Sequence, residues 1–229
     1  MSNFVTKISD SASGYILTSA EQENNAGLIY NILSSYGWTL AAVAGALGNM
    51  ETESSINPGT CQIGYGIPSG SSVYYSGGLG LIQWTSSPNA ILWFARETSH
   101  NWYDGVVQCI LLENADNSNI TSCGTGNPVW GWIPTSSYNI SYSQYRAYTG
   151  SPEDAASAFL YNMERPADPS TTVNARRDNA RKWYNYLSGV TPDPPDPPDP
   201  PIPPVPSGAA NKWMLFKFDD LRKGNYERH

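Results

Sequence analysis

The stretch "TPDPPDPPDPPIPPVPSG", residues 191–208, constrains the fold of this chain more than any other. Proline has no backbone N–H and disfavours the α region for the residue before it, so a repeated Asp-Pro-Pro unit can enter neither helix nor sheet. Polyproline II remains, a semi-rigid spacer rising about 3.1 Å per residue. Such a segment can also be a ligand for aromatic grooves; the spacer reading is favoured. The 21 residues after it, "AANKWMLFKFDDLRKGNYERH", are too few for a core of their own. They read as a tail, a docking peptide or the start of a truncated domain. Any core must therefore come from residues before the linker.

Composition narrows what that core can do. Hydrophobic residues make up 40% and aromatics 12%, with 15 Tyr and 8 Trp, which describes a globular domain rather than a disordered one. The formal net charge is −7 with only 13 Lys and Arg, so nucleic acid is excluded as a partner: phosphate binding needs clustered cations. The N-terminal "MSNFVTKISDSASGYILTSAEQ" has no charged head and apolar run of a signal peptide, and no window of 18 apolar residues predicts a membrane span. Only His100 and His229 could supply imidazole to a metal, which argues against zinc hydrolysis; no cofactor is implied. Three cysteines, Cys61, Cys109 and Cys123, allow at most one disulfide. Cys109 and Cys123 could pair after release from a reducing cytosol, but free buried thiols are the favoured state.

The pattern before the linker is mostly helical. Apolar periodicity predicts a helix capped by Ser19 and ending at Gly37, and a second over "TLAAVAGALGNMETES" capped by Thr39. A third is predicted with Ser87 as cap and Pro88 in its first turn, and a fourth over "DGVVQCILLENAD". Ser151, Pro152 and Asp154 open a fifth with a capping-box pattern, and "TTVNARRDNARKWYNYLSG" closes the domain at Gly189. Residues 59–85, rich in Gly, Ser and Tyr, read as a short hairpin or irregular lobe. The expected fold class is mainly α (α+β): a helical body with a small Gly-rich β or irregular lobe and a cleft between them.

The second predicted helix ends in "GALGNMETESSINPG", residues 45–59, which sets Glu51 and Glu53 just before Asn57-Pro58-Gly59. A carboxyl group at a helix C-terminus meets the negative end of the macrodipole, and apolar neighbours add a desolvation cost of the same sign. Both effects favour a protonated carboxyl, the donor that a glycosidic bond needs when its basic leaving oxygen departs. The bland alternative is a solvated helix end. At about 100° per residue Glu51 falls on the stripe of Leu40, Val43, Ala44 and Leu47, while Glu53 points the other way, beside Ala42 and Ala46. The segment is apolar nearly all round, so periodicity does not choose between them.

Three segments in order carry a resemblance: "ESSINPG" from Glu53, "GLGLIQW" from Gly78 with the following Thr85, and "FLYNMERPADP" from Phe159. Together with "LGNMETES" they resemble the Glu-Ser…Asn-Pro and Gly-Leu-x-Gln signature of the lysozyme superfamily, and most closely the lysozyme-like domain of phage tail-tip and tail-knob proteins. The resemblance covers roughly residues 20–189. It implies an arm at 1–19, a lysozyme-like catalytic domain at 20–189, the linker at 190–208 and the tail at 209–229. It also implies a phage enzyme that cleaves the glycan strands of peptidoglycan, from the virion or released to the host wall, with other tail proteins as further partners. Carried over by position, Glu53 is the general acid. Asn57 and Pro58 shape the turn after its helix, and Asn57, Gln83, Trp84 and Tyr161 form the substrate-binding set. For Trp84 a core role is an equal reading. Glu164 and Arg165 are expected to form a structural ion pair that ties down a loop.

Between Glu53 and Glu97 there is no Asp or Glu, so the lobe after the catalytic helix offers no nucleophile for double displacement. Two routes stay open. A distant carboxylate, Asp104, Glu164 or Asp168, could orient water, or Glu53 could act alone as in lytic transglycosylases, where a hydroxyl of the substrate attacks. A cysteine peptidase would need a Cys–His pair for which only His100 is placed, and a wall-binding module without activity would have no use for Glu53.

Overall fold

In the computed structural model, residues 3–189 are described; the proline-rich segment and the tail lie outside them. Helix α2, Leu40–Ser54, is apolar all round, and every residue from Ala41 to Met50 is buried. A helix without a polar face must be enclosed by others. It is enclosed here by α1 (Ser19–Ser35), α6 (Tyr142–Arg146), α7 (Pro152–Phe159) and α8 (Val173–Leu187), with α8 its most extensive neighbour. The remaining helices are α3 (Ala90–Glu97), α4 (Gly105–Glu113) and α5 (Ser118–Thr121). The fold is mainly α, and the described residues hold no β-strand.

Caps explain most boundaries, with two corrections. Thr18 caps α1 in place of Ser19: its hydroxyl accepts from Glu21 N and Glu21 Oε2 accepts from Thr18 N at 2.7 Å, the reciprocal pair of a capping box. The signal was present as Thr-x-x-Glu, one residue earlier. The end of α1 is as expected, with Gly37 at φ 87° and its N–H on Ser34 O, and Trp38 N on Leu33 O. Asn89 occupies the N-cap position of α3 in place of Ser87, so Ser87 and Pro88 precede the helix, and Ser86 Oγ accepts from Ala90 N at 3.0 Å. Thr39 and Ser151 cap α2 and α7 as expected.

Two glycines let the helices meet backbone to backbone. A Cβ on Gly45 would lie 2.7 Å from Ala155 C in α7, and one on Gly48 would lie 2.4 Å from Arg176 O in α8. Both are far below van der Waals contact, and in each case the obstacle is backbone that cannot turn aside.

The Gly-rich span is irregular, held by isolated bridges Cys61–Leu79 and Leu79–Trp84 rather than by the hairpin that was one expectation. Irregular backbone under cover needs hydrogen-bond partners that a sheet would otherwise supply. Buried amide side chains provide them. Gln108 Oε1 accepts from Leu81 N, while its Nε2 donates to Pro58 O and Trp102 O, all at 2.8 Å, which fastens the lobe to α4. Asn57, fully buried, binds the backbone four times: Lys7 N and Gly59 N donate to Oδ1, and Nδ2 donates to Lys7 O and Tyr15 O. Asn25 repeats the device, pairing both ways with Val5 and donating to Ile56 O at 2.9 Å.

The thiols of Cys61, Cys109 and Cys123 are all free and buried. Burial pushes Cys61 up to about 11 and Cys123 up to about 12. No helix among the described residues is long and apolar enough to cross a membrane.

Two outcomes follow from this packing. Asn57→Ala strands several buried backbone groups, each costing about 1–3 kcal/mol. The expected loss is about 3 kcal/mol, read as a fall of roughly 10 °C in the thermal midpoint. Gly48→Ala must push α8 away from α2. It is expected to lower stability by about 2 kcal/mol or more in urea titration, against the slight gain that Gly→Ala gives at an open helical site.

Candidate active site

The end of α2 is shaped by two consecutive left-handed residues, Ser55 at φ 58° and Ile56 at φ 57°. A β-branched residue there is a genuine outlier, and such conformations cost on the order of 1–3 kcal/mol each. Their surroundings hold them. Ser55 N and Ile56 N close back on Glu51 O and Met50 O, and the Ser55 hydroxyl accepts from Leu17 N and from Gln22 Nε2 at 2.7 Å. The Ser54 hydroxyl donates to Leu81 O at 2.8 Å, so the last turn of the helix is tied to the lobe. Glu53 is thus presented from a rigid end.

The two carboxylates that periodicity could not separate have different partners on α8. Glu51 is fully engaged: it accepts from Lys182 Nζ at 2.6 Å and from Trp183 Nε1 at 2.8 Å. Glu53 pairs with the Arg176 guanidinium, and its side chain keeps 24% exposure while that of Arg176 keeps 4%. Arg176 is held from the other side by Asn49, whose Oδ1 accepts from Nη1 at 2.9 Å. Asn49 in turn donates to Gly45 O and to Ala156 O, so one buried amide joins α2, α7 and α8 behind Glu53.

A second carboxyl group enters from the chain after α7. Here the helix widens into a π turn, Leu160–Glu164, closed by Arg165 N on Leu160 O at 2.8 Å. Arg165 precedes Pro166, which disfavours further α conformation, and it turns left-handed at φ 49°. Such turns occur often at functional sites. Arg165 does tie down a loop, but through the carbonyls of Gly131 (2.9 Å) and Asn162, not through the expected ion pair with Glu164. Glu164 is half-buried, with its Oε1 covered and without a hydrogen-bond partner among the described residues. Burial, and then the charge of Glu53, push its carboxyl well above the usual range, against the opposing pull of Arg176 and Arg165.

The other expected site residues are placed as follows. All four hydrogen-bonding positions of Asn57 are spent on backbone, so it shapes the turn and has none left for a substrate. Trp84 is 4% exposed and packs edge-on against Trp130 at 6.3 Å, which leaves it little face to offer a sugar. Gln83, left-handed at φ 51°, folds its amide onto Gly80 O at 3.0 Å and lies over Gly78. Tyr161, on the π turn, is half-buried against Tyr138 at 5.4 Å. Of the three distant carboxylates, Asp104 caps α4 and Asp168 caps the short turn Pro169–Thr171, where Ser170 lowers its pKa. Glu164 is the one that feels Glu53. Arg176 and Asn49 were missed: their signal, an Arg and an Asn on apolar helix faces, has no motif.

The raised Glu164 carboxyl has a consequence for stability. A carboxyl protonated in the fold contributes fully below the ordinary glutamate range, and that contribution is lost as pH rises through its raised value. Glu164→Gln keeps the neutral form at every pH. Thermal midpoints of variant and wild type are expected to coincide in acid and to separate in favour of the variant as pH increases.

Comparison with known proteins gives a family and a relative. The family model described as phage tail lysozyme matches residues 24–187. Morphogenesis protein 1 of Bacillus phage B103 is 33% identical over 174 residues, covering 76% of this chain and 42% of the relative. The chain therefore spans about two-fifths of that protein's length. By the match across nearly all of its described helical body, this chain belongs to the phage tail lysozyme family.

Proposed function

We propose that this chain cleaves the glycan strand of peptidoglycan, with Glu53 as the general acid, as part of a phage tail that opens the host wall during entry. The observation that carries the reading is the contrast at the end of α2. Glu51 spends both carboxylate oxygens, on Lys182 and Trp183, whereas Glu53 is held through Oε1 by Arg176 on a strained, over-tied helix end.

The lobe beside it suits a neutral polymer. Residues 54–95 contain no Asp, Glu, Lys or Arg, and Tyr65 and Tyr74 stand exposed on it, the latter at 71%. Aromatic faces with a polar tip suit sugar rings, and an uncharged surface repels neither the glycan nor its peptide stems. Residues 54–95 contain no carboxyl side chain, so the lobe offers no nucleophile. The step after protonation therefore falls to water or to a hydroxyl of the substrate itself.

Mass spectrometry of soluble products from purified peptidoglycan tests this. Glu53→Gln is expected to lower the rate at least about 100-fold, the usual weight of a general acid. Wild-type products with reducing ends indicate hydrolysis, and anhydro-sugar ends indicate transglycosylation. Absence of glycan cleavage by the folded wild-type protein would leave a wall-binding module in place of an enzyme.

A further inference from the structure

A groove of about 390 Å³ opens between α5 with the turn before it and residues 128–133, and Arg165 from the end of the π turn lines it as well. Backbone hydrogen bonds fix its walls. Val129 N donates to Thr121 O at 2.8 Å and Trp132 N to Ala115 O at 2.9 Å. Ile133 N donates to Asn162 O at 3.0 Å, and Arg165 Nη1 to Gly131 O at 2.9 Å. Gly131, at φ 117°, lets the segments close up, because a Cβ there would lie 2.5 Å from Ala115 O. The groove is therefore preformed, and its volume falls within the ~300–1,000 Å³ of small-molecule sites.

Its lining is mostly apolar, with one charge of each sign. Val129, Trp130, Trp132 and Ile133 supply the apolar part, and Ile133 keeps 54% exposure, a large side chain left uncovered. Asp116 and Arg165 are the charged members, both exposed, and neither has an ion pair among the described residues. Arg165 stands apart in this respect. Every other arginine among the described residues has a carboxylate partner, whereas Arg165 spends its donors on the carbonyls of Gly131 and Asn162. Carbonyls satisfy N–H groups without balancing the charge. A neutral sugar would meet neither charge, a simple anion would face Asp116, and an alkyl chain would cover both charges without pairing them. The chemistry that answers all three features is a short peptide with small apolar side chains, a free carboxylate and a free amine.

We infer that this groove binds the peptide stem of peptidoglycan. Arg165 takes a stem carboxylate, Asp116 takes the free amine of the diamino acid, and the Trp and Ile faces cover the alanine methyls. The inference rests on the reading of peptidoglycan as substrate and extends it from the glycan to the peptide. The groove and the acid belong to one frame: Arg165 ends the π turn that continues α7, and Asn49 ties α7 to the helix of Glu53 through Ala156 O at 3.0 Å. A stem held in the groove therefore limits how the strand that carries it can lie across the protein. Cross-linking acylates the stem amine and removes its charge, so the groove favours stems that are not yet cross-linked.

The test uses the whole chain and the tripeptide L-alanyl-γ-D-glutamyl-L-lysine, beside a copy acetylated on the lysine side-chain amine. Binding is read from the NMR signals of the Trp130 and Trp132 indole N–H groups, so it needs no activity. The free tripeptide is expected to shift both signals saturably. Acetylation is expected to weaken binding about threefold to fivefold, the weight of one exposed ion pair. Asp116→Asn, at an exposed position, is expected to weaken the free tripeptide by the same factor and to make the two peptides equal. Indole signals that ignore the tripeptide at millimolar concentration overturn the inference. So does equal affinity for the two peptides in the wild type, or a difference that survives in Asp116→Asn. Peptide binding without glycan cleavage by the wild type upholds the groove and sinks the reading of Glu53 as acid. Cleavage without peptide binding does the reverse.

Discussion

An arginine side chain only 4% exposed dictates the arrangement around it. Arginine does not lose its charge at any ordinary pH, so Arg176 can be buried only where acceptors are fixed to meet it. Asn49 and Glu53 do so from one helix, four residues apart on adjacent turns of α2. That geometry requires α8 to lie almost against the α2 backbone, which in turn requires glycine at position 48. The close helix contact, the orientation of Glu53 and the environment of Glu164 are thus one constraint seen from three sides. Replacing Arg176 by an uncharged residue would leave the other groups facing each other without it.

The irregular lobe follows a different logic. With no sheet to satisfy its backbone, it depends on amides whose donors and acceptors are spread over three or four chain segments. Gln108 joins α4 to residues 58, 81 and 102, and outside the lobe Asn162 uses the same device to join the π turn to Thr135 and Tyr138. An amide can do this without a net charge, so the interior stays neutral where a carboxylate would need a cation. The result is a lobe of fixed shape and uncharged composition set against a helical body that carries the ionisable groups.

Much of the helical body was legible in the sequence because it depends on local rules. Apolar periodicity gave α2 and α8 nearly to the residue, and Ser151-Pro152 marked α7 directly. The two displaced caps came from choosing Ser19 and Ser87 where Thr18 and Asn89 sit, a difference settled by backbone turns that no short window records. The choice between Glu51 and Glu53 was different in kind. Both lie on an apolar helix, and what separates them is Lys182, Trp183 and Arg176, more than 120 residues along the chain. Motif resemblance selected Glu53 where periodicity could not. For Asn57 and Trp84 the structural half of the reading is what the structure displays: Asn57 sews backbone and Trp84 fills the core. Glu164 was masked by its neighbour, since Glu-Arg in a loop reads as an ion pair until Pro166 and the π turn send the two side chains in different directions.

The bonds made by Asn57 and Asn25 have a mechanical meaning. The segment from Val5 to Tyr15 is joined by hydrogen bonds to Asn57 and Asn25, and those amides touch the turn that ends α2. The first residues therefore act as a strut set against the base of Glu53. A pull or a twist delivered through that strut reaches the left-handed pair Ser55–Ile56 within one hydrogen bond of Asn25. Load borne by residues 5–15 is carried to the helix end that presents Glu53.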